Sequence, residues 1–570
     1  MDKKKQLIAL ALFGLFGVAQ AGEKEELLKL RNTTTNLIKE LVKQGILTEK
    51  VANEMIKKAE ADAESQSQLQ NNQQAMEAPE PGEVRVPYVP EFVKDEIRKQ
   101  VRADLRQEVV GDVMQKAKTE KWGTPDALPD WVNRFKLSGD LRLRSQSEYM
   151  ANDNAEGFYS DFLAINQAGG VSAAGLDGFL NTTHDSHRFR ERLRLAIDAK
   201  VADNLQAGVR LATGNQRDPV STNQTLGNTG TQYQFGVDRA YLKYDAVKDS
   251  GFKWLTVSGG RIANPWYVGG GEFTGGSELV YDTDLSFEGL AITARHSFSD
   301  DHSHGHRAED NHVPHSVFAT IGGFPLQETA LSSHDKWLFG GQVGVDWGFN
   351  NQDAVKAAIA YYDYRNIQAR PNGNNPPSCD TNLPKNNFSA PQFYQFGNSV
   401  ASICDEPNTS STELSSFPGL YGLASDYDII NANVSYDFAK FAPYHMIVGG
   451  DFAKNIGFNK QSVRNLTGQT IGDQTNAWQA RVDIGFPKVD RAGQWNVFSL
   501  YKYVERDAVF SAYTDSDFHL GGTNAKGWVV GGNYGLMKNV WFTGRWLSTD
   551  VITGPKYGND VLQLDLNTKF

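Results

Sequence analysis

Two periodicities divide the chain. From Glu23 to about Ala61, Leu27, Leu30, Thr34, Leu37 and Leu41 recur at alternating steps of three and four. That is the a/d spacing of a short coiled coil, satisfied either by a helical hairpin packed on itself or by self-association. A second helix is expected from about Glu91 to Glu120, with Val93, Ile97, Val101, Leu105 and Val109 on one broad face. Mixed charges suit that face to a partner helix better than to a lipid surface. Between the two lies a linker over 62–90, polar around Ser65 to Gln74 and kept extended by Pro79, Pro81, Pro87 and Pro90.

After Trp131 the period becomes two. Phe135, Leu137, Leu141 and Leu143 share one face, while Lys136, Ser138, Asp140, Arg142 and Arg144 share the other. The split recurs in Trp478, Ala480, Val482, Ile484 and Phe486 against Gln479, Arg481 and Asp483. Sixteen such strands are expected, near 135–145, 188–201, 205–214, 236–245, 253–262, 285–297, 316–325, 337–348, 354–365, 427–438, 444–455, 475–486, 494–507, 525–535, 540–550 and 560–570. Even-numbered connections are short, as in Ala202-Asp-Asn204, except the His-bearing sixth (298–315), which is unusually long for its side, and odd-numbered ones are long. A soluble sandwich would alternate too, but it has no reason for that asymmetry. The fold class expected is therefore all-β: a 16-stranded antiparallel transmembrane β-barrel, both ends periplasmic, with an N-terminal α-helical, coiled-coil-like extension. The last strand sets Leu562, Leu564, Leu566 and Phe570 against Gln563, Asp565, Asn567 and Lys569, and stops on the aromatic Phe570.

Composition changes this picture little. The chain has 570 residues, a formal charge of −11 and two cysteines. A mean hydropathy of −0.48 excludes a bundle of apolar helical spans. No basic stripe dominates, so no nucleic-acid partner is expected. Met1-Asp-Lys-Lys-Lys5, the apolar run Leu7 to Val18 and Ala19-Gln-Ala21 read as a secretory signal peptide. The organisation expected is thus signal peptide 1–21, helical segment 22–61, linker 62–90, second periplasmic helix 91–130 and barrel 131–570. After export Cys379 and Cys404 are free to pair. Such a disulfide would close about 25 residues and stabilise by roughly 3 kcal/mol in the entropic account.

Several segments resemble a known family. Leu128-Pro-Asp-Trp-Val-Asn-Arg-Phe-Lys-Leu-Ser-Gly-Asp-Leu-Arg-Leu-Arg144 is similar to the start of the barrel in the "putative porin" family of Gram-negative bacteria. Leu41 to Glu49 and Val86 to Pro90 look like its periplasmic extension, and Asp238 to Tyr244, Gly259 to Pro265 and Tyr281 to Gly289 fit as well. The resemblance implies an outer-membrane channel in contact with lipid and lipopolysaccharide, passing small hydrophilic solutes, with a homotrimer as one outcome. It carries no catalytic residue and no cofactor.

The polar face then becomes a pore wall. Arg190, Arg192 and Arg194 share it with Arg142, Arg144, Arg210, Lys243 and Arg261. Fixed guanidinium groups there either attract anions or pair with lumen acids and stiffen the wall. In general diffusion porins the third external loop folds inward, and Glu272-Phe-Thr-Gly-Gly276 is similar to that constriction stretch. Glu272, Glu278, Asp282 and Asp284 are thus candidate constriction acids, opposing the positive wall. Seven of the eleven histidines lie between His296 and His334. His302, His304 and His306 are weak metal candidates, their spacing of two suiting a solvated turn better than a preorganised site. No GxSxG, HExxH, CxxC or P-loop occurs, and no enzyme is expected. The other class open to this chain is an envelope structural protein, its barrel anchoring a helical tether to the cell wall or other subunits.

Overall fold

The computed structural model describes residues 132–269, 276–298, 315–329, 333–349, 352–373, 379, 386–405 and 418–570. The signal peptide, both N-terminal helices, the linker, Glu272 and the histidines at 302, 304 and 306 lie outside the described residues.

Sixteen long strands form one antiparallel sheet. They are β1 (Phe135–Met150), β2 (Ser186–Ala202), β3 (Leu205–Ala212), β4 (Gly236–Val247), β5 (Lys253–Ala263), β6 (Ser286–Ser297), β7 (Ser316–Gln327) and β8 (Lys336–Gly348). The second half comprises β9 (Ala354–Arg365), β10 (Asp428–Phe438), β11 (His445–Asn455), β12 (Asn476–Gly485), β13 (Trp495–Val504), β14 (Ala525–Met537), β15 (Val540–Val551) and β16 (Gly558–Lys569). Each lies where the alternation predicts it, the largest difference being β1, which runs on to Met150. A two-residue strand, Gln224–Thr225, adds to the edge of β2.

β1 pairs with β2 and with β16, so the sheet closes on itself and leaves no free edge. The last residue completes the seam. Gly139 and Phe570 exchange backbone hydrogen bonds of 2.9 and 3.0 Å. A Cβ at Gly139 would stand 2.6 Å from the Phe570 ring, so the missing side chain makes room for it.

Burial is inverted relative to a soluble domain. On β1, Leu137 is 74% exposed while Arg144 is 2% exposed. Outward side chains such as Leu195, Val343, Ile359, Val434, Val530 and Leu564 form an exposed apolar belt. Phe349, Phe441, Tyr444 and Trp495 flank it toward the short turns, and Phe189, Trp478, Trp528 and Trp546 toward the long loops. An apolar band between two aromatic girdles is the exterior a bilayer selects. Among the described residues no helix is long and apolar enough to cross a membrane.

The interior is filled unevenly. Leu279, Val280 and Tyr281 of the third long connection (264–285) pack inward against Phe287, Phe324, Leu338, Tyr362 and Ile429. The seventh long connection (505–524) contributes Val509, Phe510 and Ala512 to the same core. Asp507 ties that connection to the fifth (366–427), accepting from Ser399 N–H at 2.9 Å, Ser399 Oγ at 2.6 Å and Tyr427 OH at 3.0 Å. Within the fifth, Val400–Asp405 pairs with Pro418–Leu423, and Cys379 is bonded to Cys404. Loop packing thus fills much of the apolar side of the lumen but leaves there a cavity of about 620 Å³, lined by Phe287, Phe324, Leu423, Phe510 and Tyr513 among others.

Candidate pore constriction

The charged side is set by strand register. Arg142 on β1 lies opposite Arg192 on β2 and Asn567 on β16, so three strands deliver polar side chains to one level of the lumen. Alternation in β2 adds Arg190 and Arg194, and β15 and β16 add Arg545 and Asp565. Loops 264–285 and 505–524 meet this wall together. Asp282 N–H donates to Tyr513 O at 2.8 Å, and Ser516 N–H donates to Asp282 Oδ2 at 2.9 Å.

Between wall and loops lies a cavity of about 210 Å³, whose charged lining includes Arg142, Arg192, Arg481, Lys502 and Arg545. Facing them are Glu278, Asp282, Asp284, Asp515, Asp517 and Asp565. Most of these charges are paired. Arg144 grips Asp565 with two bonds, Nε to Oδ1 at 2.8 Å and Nη2 to Oδ2 at 2.9 Å, and reaches Asp517 at 3.1 Å. Arg545 holds the other side of Asp517 at 2.7 Å. Arg192 and Arg194 share two acids, Asp140 at 3.1 and 2.9 Å and Asp284 at 3.2 and 3.1 Å. Lys502 pairs with Asp515 at 2.6 Å, and Arg481 with Asp483 at 2.8 Å.

The loop acids are not equivalent. Burial opposes ionisation of Asp284, but Arg192 and Arg194 hold it well below the usual carboxylate range. Burial likewise opposes ionisation of Asp517, and Arg144 and Arg545 overcome it. Glu278 is pushed up by burial and by Asp515, and Asp282 further up by burial, Glu278 and Asp284. Two of the six acids are therefore harder to ionise than an ordinary carboxylate, although Thr283 donates to Glu278 and Asp284 N–H to Asp282.

The sequence-predicted wall residues separate into two groups. Arg144, Arg192 and Arg194 are paired as above, Arg210 pairs with Asp238, Arg261 with Glu288, and Lys243 reaches Asp245 at 3.6 Å near the short-turn end. Among the described residues Arg142 bonds only the Asn223 carboxamide, and Arg190 reaches only Gln146 Oε1 at 3.5 Å. Neither forms an ion pair with a described residue. Glu278, Asp282 and Asp284 converge on the constriction with the wall, whereas Lys243 does not reach it. Cys379 and Cys404, with Cα atoms 5.0 Å apart, are joined in the fifth connection, away from this cavity.

Sequence reasoning missed the seventh connection, which supplies Asp515 and Asp517. Its signal was apolar density: Val509, Phe510, Ala512, Tyr513, Phe518 and Leu520 are too many apolar residues for a solvated loop. It placed Asp140 and Asp565 on the polar face without assigning their partners, which depend on register.

Comparison with known proteins adds the following. Residues 31–570 match a family model described as "Putative porin". The barrel is similar to Pseudomonas putida OprB at high pH, with 11% identity and a TM-score of 0.41 over 79% of this chain and 97% of that one. It is also similar to the outer membrane channel DcaP of Acinetobacter baumannii, with 11% identity and a TM-score of 0.38 over 76% and 97% of the two chains. A variant of Rh. blastica porin aligns with 10% identity and a TM-score of 0.34 over 76% of this chain and all 100% of that one. No curated protein sequence matches.

Proposed function

The chain belongs to the family described as "Putative porin", and from that premise we propose that it is a channel of the outer membrane, not an enzyme, through which small hydrophilic solutes diffuse passively. The observation that carries this reading is the closed barrel with a charged, incompletely filled lumen. A vestibule cavity of about 500 Å³ and the constriction of about 210 Å³ share Ser516 in their linings, which supports one route from the long-loop side inward. Loops 264–285 and 505–524 narrow that route, and the Arg-rich wall opposite them sets its charge.

In this reading the channel prefers anions. Asp140, Asp284, Asp517 and Asp565 are consumed by guanidinium partners and Asp515 by Lys502, burial opposes ionisation of Glu278 and Asp282, and Arg142 has no carboxylate partner among the described residues. A guanidinium keeps its charge at any physiological pH and presents a fork that fits oxyanions. The helical segments at 22–61 and 91–130 belong to the proposal as a periplasmic extension, supported by their heptad-like spacing.

Reconstitution of the full chain in a planar bilayer tests it. Stepwise conductance with an anion-directed reversal potential in a salt gradient is expected. Failure of folded protein to conduct in repeated preparations would sink the channel reading, and a cation-directed potential would sink the selectivity alone.

A further inference from the structure

On the long-loop side of the constriction, the vestibule cavity has two walls of different chemistry. One is cationic, with Arg188 and Arg190 two residues apart on the lumen face of β2. The other is aromatic, formed by Tyr394, Phe396 and Tyr557. The rings of Phe396 and Tyr557 meet edge-on at 5.8 Å, and His519 packs 4.5 Å from Tyr557. A cavity of about 500 Å³ lies within the usual range for small-ligand sites.

The acids around it are already engaged. Glu148 is taken by Arg188 and accepts from Ser186 Oγ at 2.6 Å. Asp161 caps the helix Phe162–Ala168, accepting from Ala164 N–H at 2.9 Å. Asp218 accepts from Val220 N–H at 3.0 Å; burial pushes it up to about 6, and its charge faces Arg190 without forming an ion pair.

Arg190 is left over. Its one hydrogen bond to a described residue is the long one to Gln146, and its Nε is buried with no hydrogen-bond partner among the described residues. A guanidinium has five N–H donors, and unmet donors in a sheltered site favour an incoming oxyanion. Its planar fork matches a carboxylate. The ring wall offers a planar apolar group the area and edge geometry that aromatic pairs prefer.

We propose that this vestibule is a binding subsite for small aromatic carboxylates, Arg190 taking the carboxylate and the Tyr394, Phe396 and Tyr557 wall taking the ring. It rests on the channel reading for its role, which is to concentrate such anions ahead of the constriction, where Arg142 is the next guanidinium without a carboxylate partner.

The test is calorimetric titration of the folded full-length protein in detergent with benzoate, benzamide and acetate. Empty micelles serve as the blank. Benzoate is expected to bind, with benzamide and acetate each about tenfold weaker or worse. Arg190→Gln should weaken benzoate roughly ten- to hundredfold, the loss expected for a hydrogen-bonded charge. Arg190→Lys, which keeps the charge without the fork, should fall between. Equal binding of benzamide, or an unchanged affinity in R190Q, overturns the anion site. Acetate binding as well as benzoate overturns the role of the ring wall. Titration is independent of conduction: benzoate binding by a protein that never conducts would sink the channel and spare the site, and conduction without binding would do the reverse.

Discussion

Replacing Asp284 with Asn probes the constriction at the acid that two wall arginines share. Asp284 accepts from Arg192 and Arg194 at 3.2 and 3.1 Å and from Thr222 Oγ1 at 3.2 Å, with its side chain 10% exposed. Both arginines keep Asp140, and the Asn carbonyl still accepts, so the variant loses charge assistance more than contact. Hydrogen bonds to charged groups are worth about 1.5–3 kcal/mol and neutral ones about 1, so loop anchoring should weaken by roughly 1–3 kcal/mol. The electrostatic effect on a passing ion is separable. At about 6 Å in water a unit charge contributes about 0.7 kcal/mol, cut to about 0.4 kcal/mol by screening in 0.1 M salt. That is about twofold for each ion and of opposite sign for anion and cation, so the permeability ratio should move about fourfold toward anions. Reversal potentials in a KCl gradient, wild type against D284N, measure it. An unchanged potential in a folded, conducting variant would remove Asp284 from the conduction path, and a change toward cations would refute the charge reasoning itself.

Other consequences follow from the same contacts. Leu279→Ala removes the fully buried anchor of loop 264–285 and should cost about 2–5 kcal/mol locally, read as larger, noisier single-channel currents with the barrel still folded; unchanged current would mean this loop does not narrow the pore. Asp218 sits near 6 against an ordinary 3.8 because of burial. Its folded form therefore holds the proton more tightly than the unfolded chain, and its contribution to stability declines as pH rises from about 4 to 6. Below pH 6 it also loses the negative charge facing Arg190, so benzoate affinity should rise between pH 7 and pH 5, and D218N should flatten that change. Reducing the Cys379–Cys404 bond should loosen the fifth connection by roughly 3 kcal/mol in the entropic account and expose it to protease while the barrel core resists. Equal protease resistance with and without reductant would argue that packing alone holds that connection.

The strands were legible because their environment has a simple period. Lipid outside and water or loop inside demand a change of polarity at every residue, and sixteen segments carry that mark in their own sequence. The last strand was legible for a similar reason, since an amphipathic segment ending on an aromatic needs only local pattern to be noticed, whereas its seam with Gly139 was not. For loop 264–285 an inward fold was expected only by resemblance. Its anchors Leu279, Val280 and Tyr281 read as apolar residues in a loop, and nothing local says which wall receives them. The seventh connection was passed over although its apolar density equals that of loop 264–285.

The sequence by itself determined the barrel, its strand number and the alternation that sends arginine and aspartate to the lumen, because each of these follows from a residue's immediate neighbours and a two-sided environment. Only the tertiary structure decided which charges survive as free charges. Arg144 meets Asp565 across 421 residues of chain, and Arg192 meets Asp284 through a loop folded back into the barrel. Pairing of this kind depends on register at the closing seam and on loop packing, and both are properties of the closed sheet as a whole. That is why a net charge of −11 is compatible with a constriction and vestibule where Arg142 and Arg190 stand without a carboxylate partner.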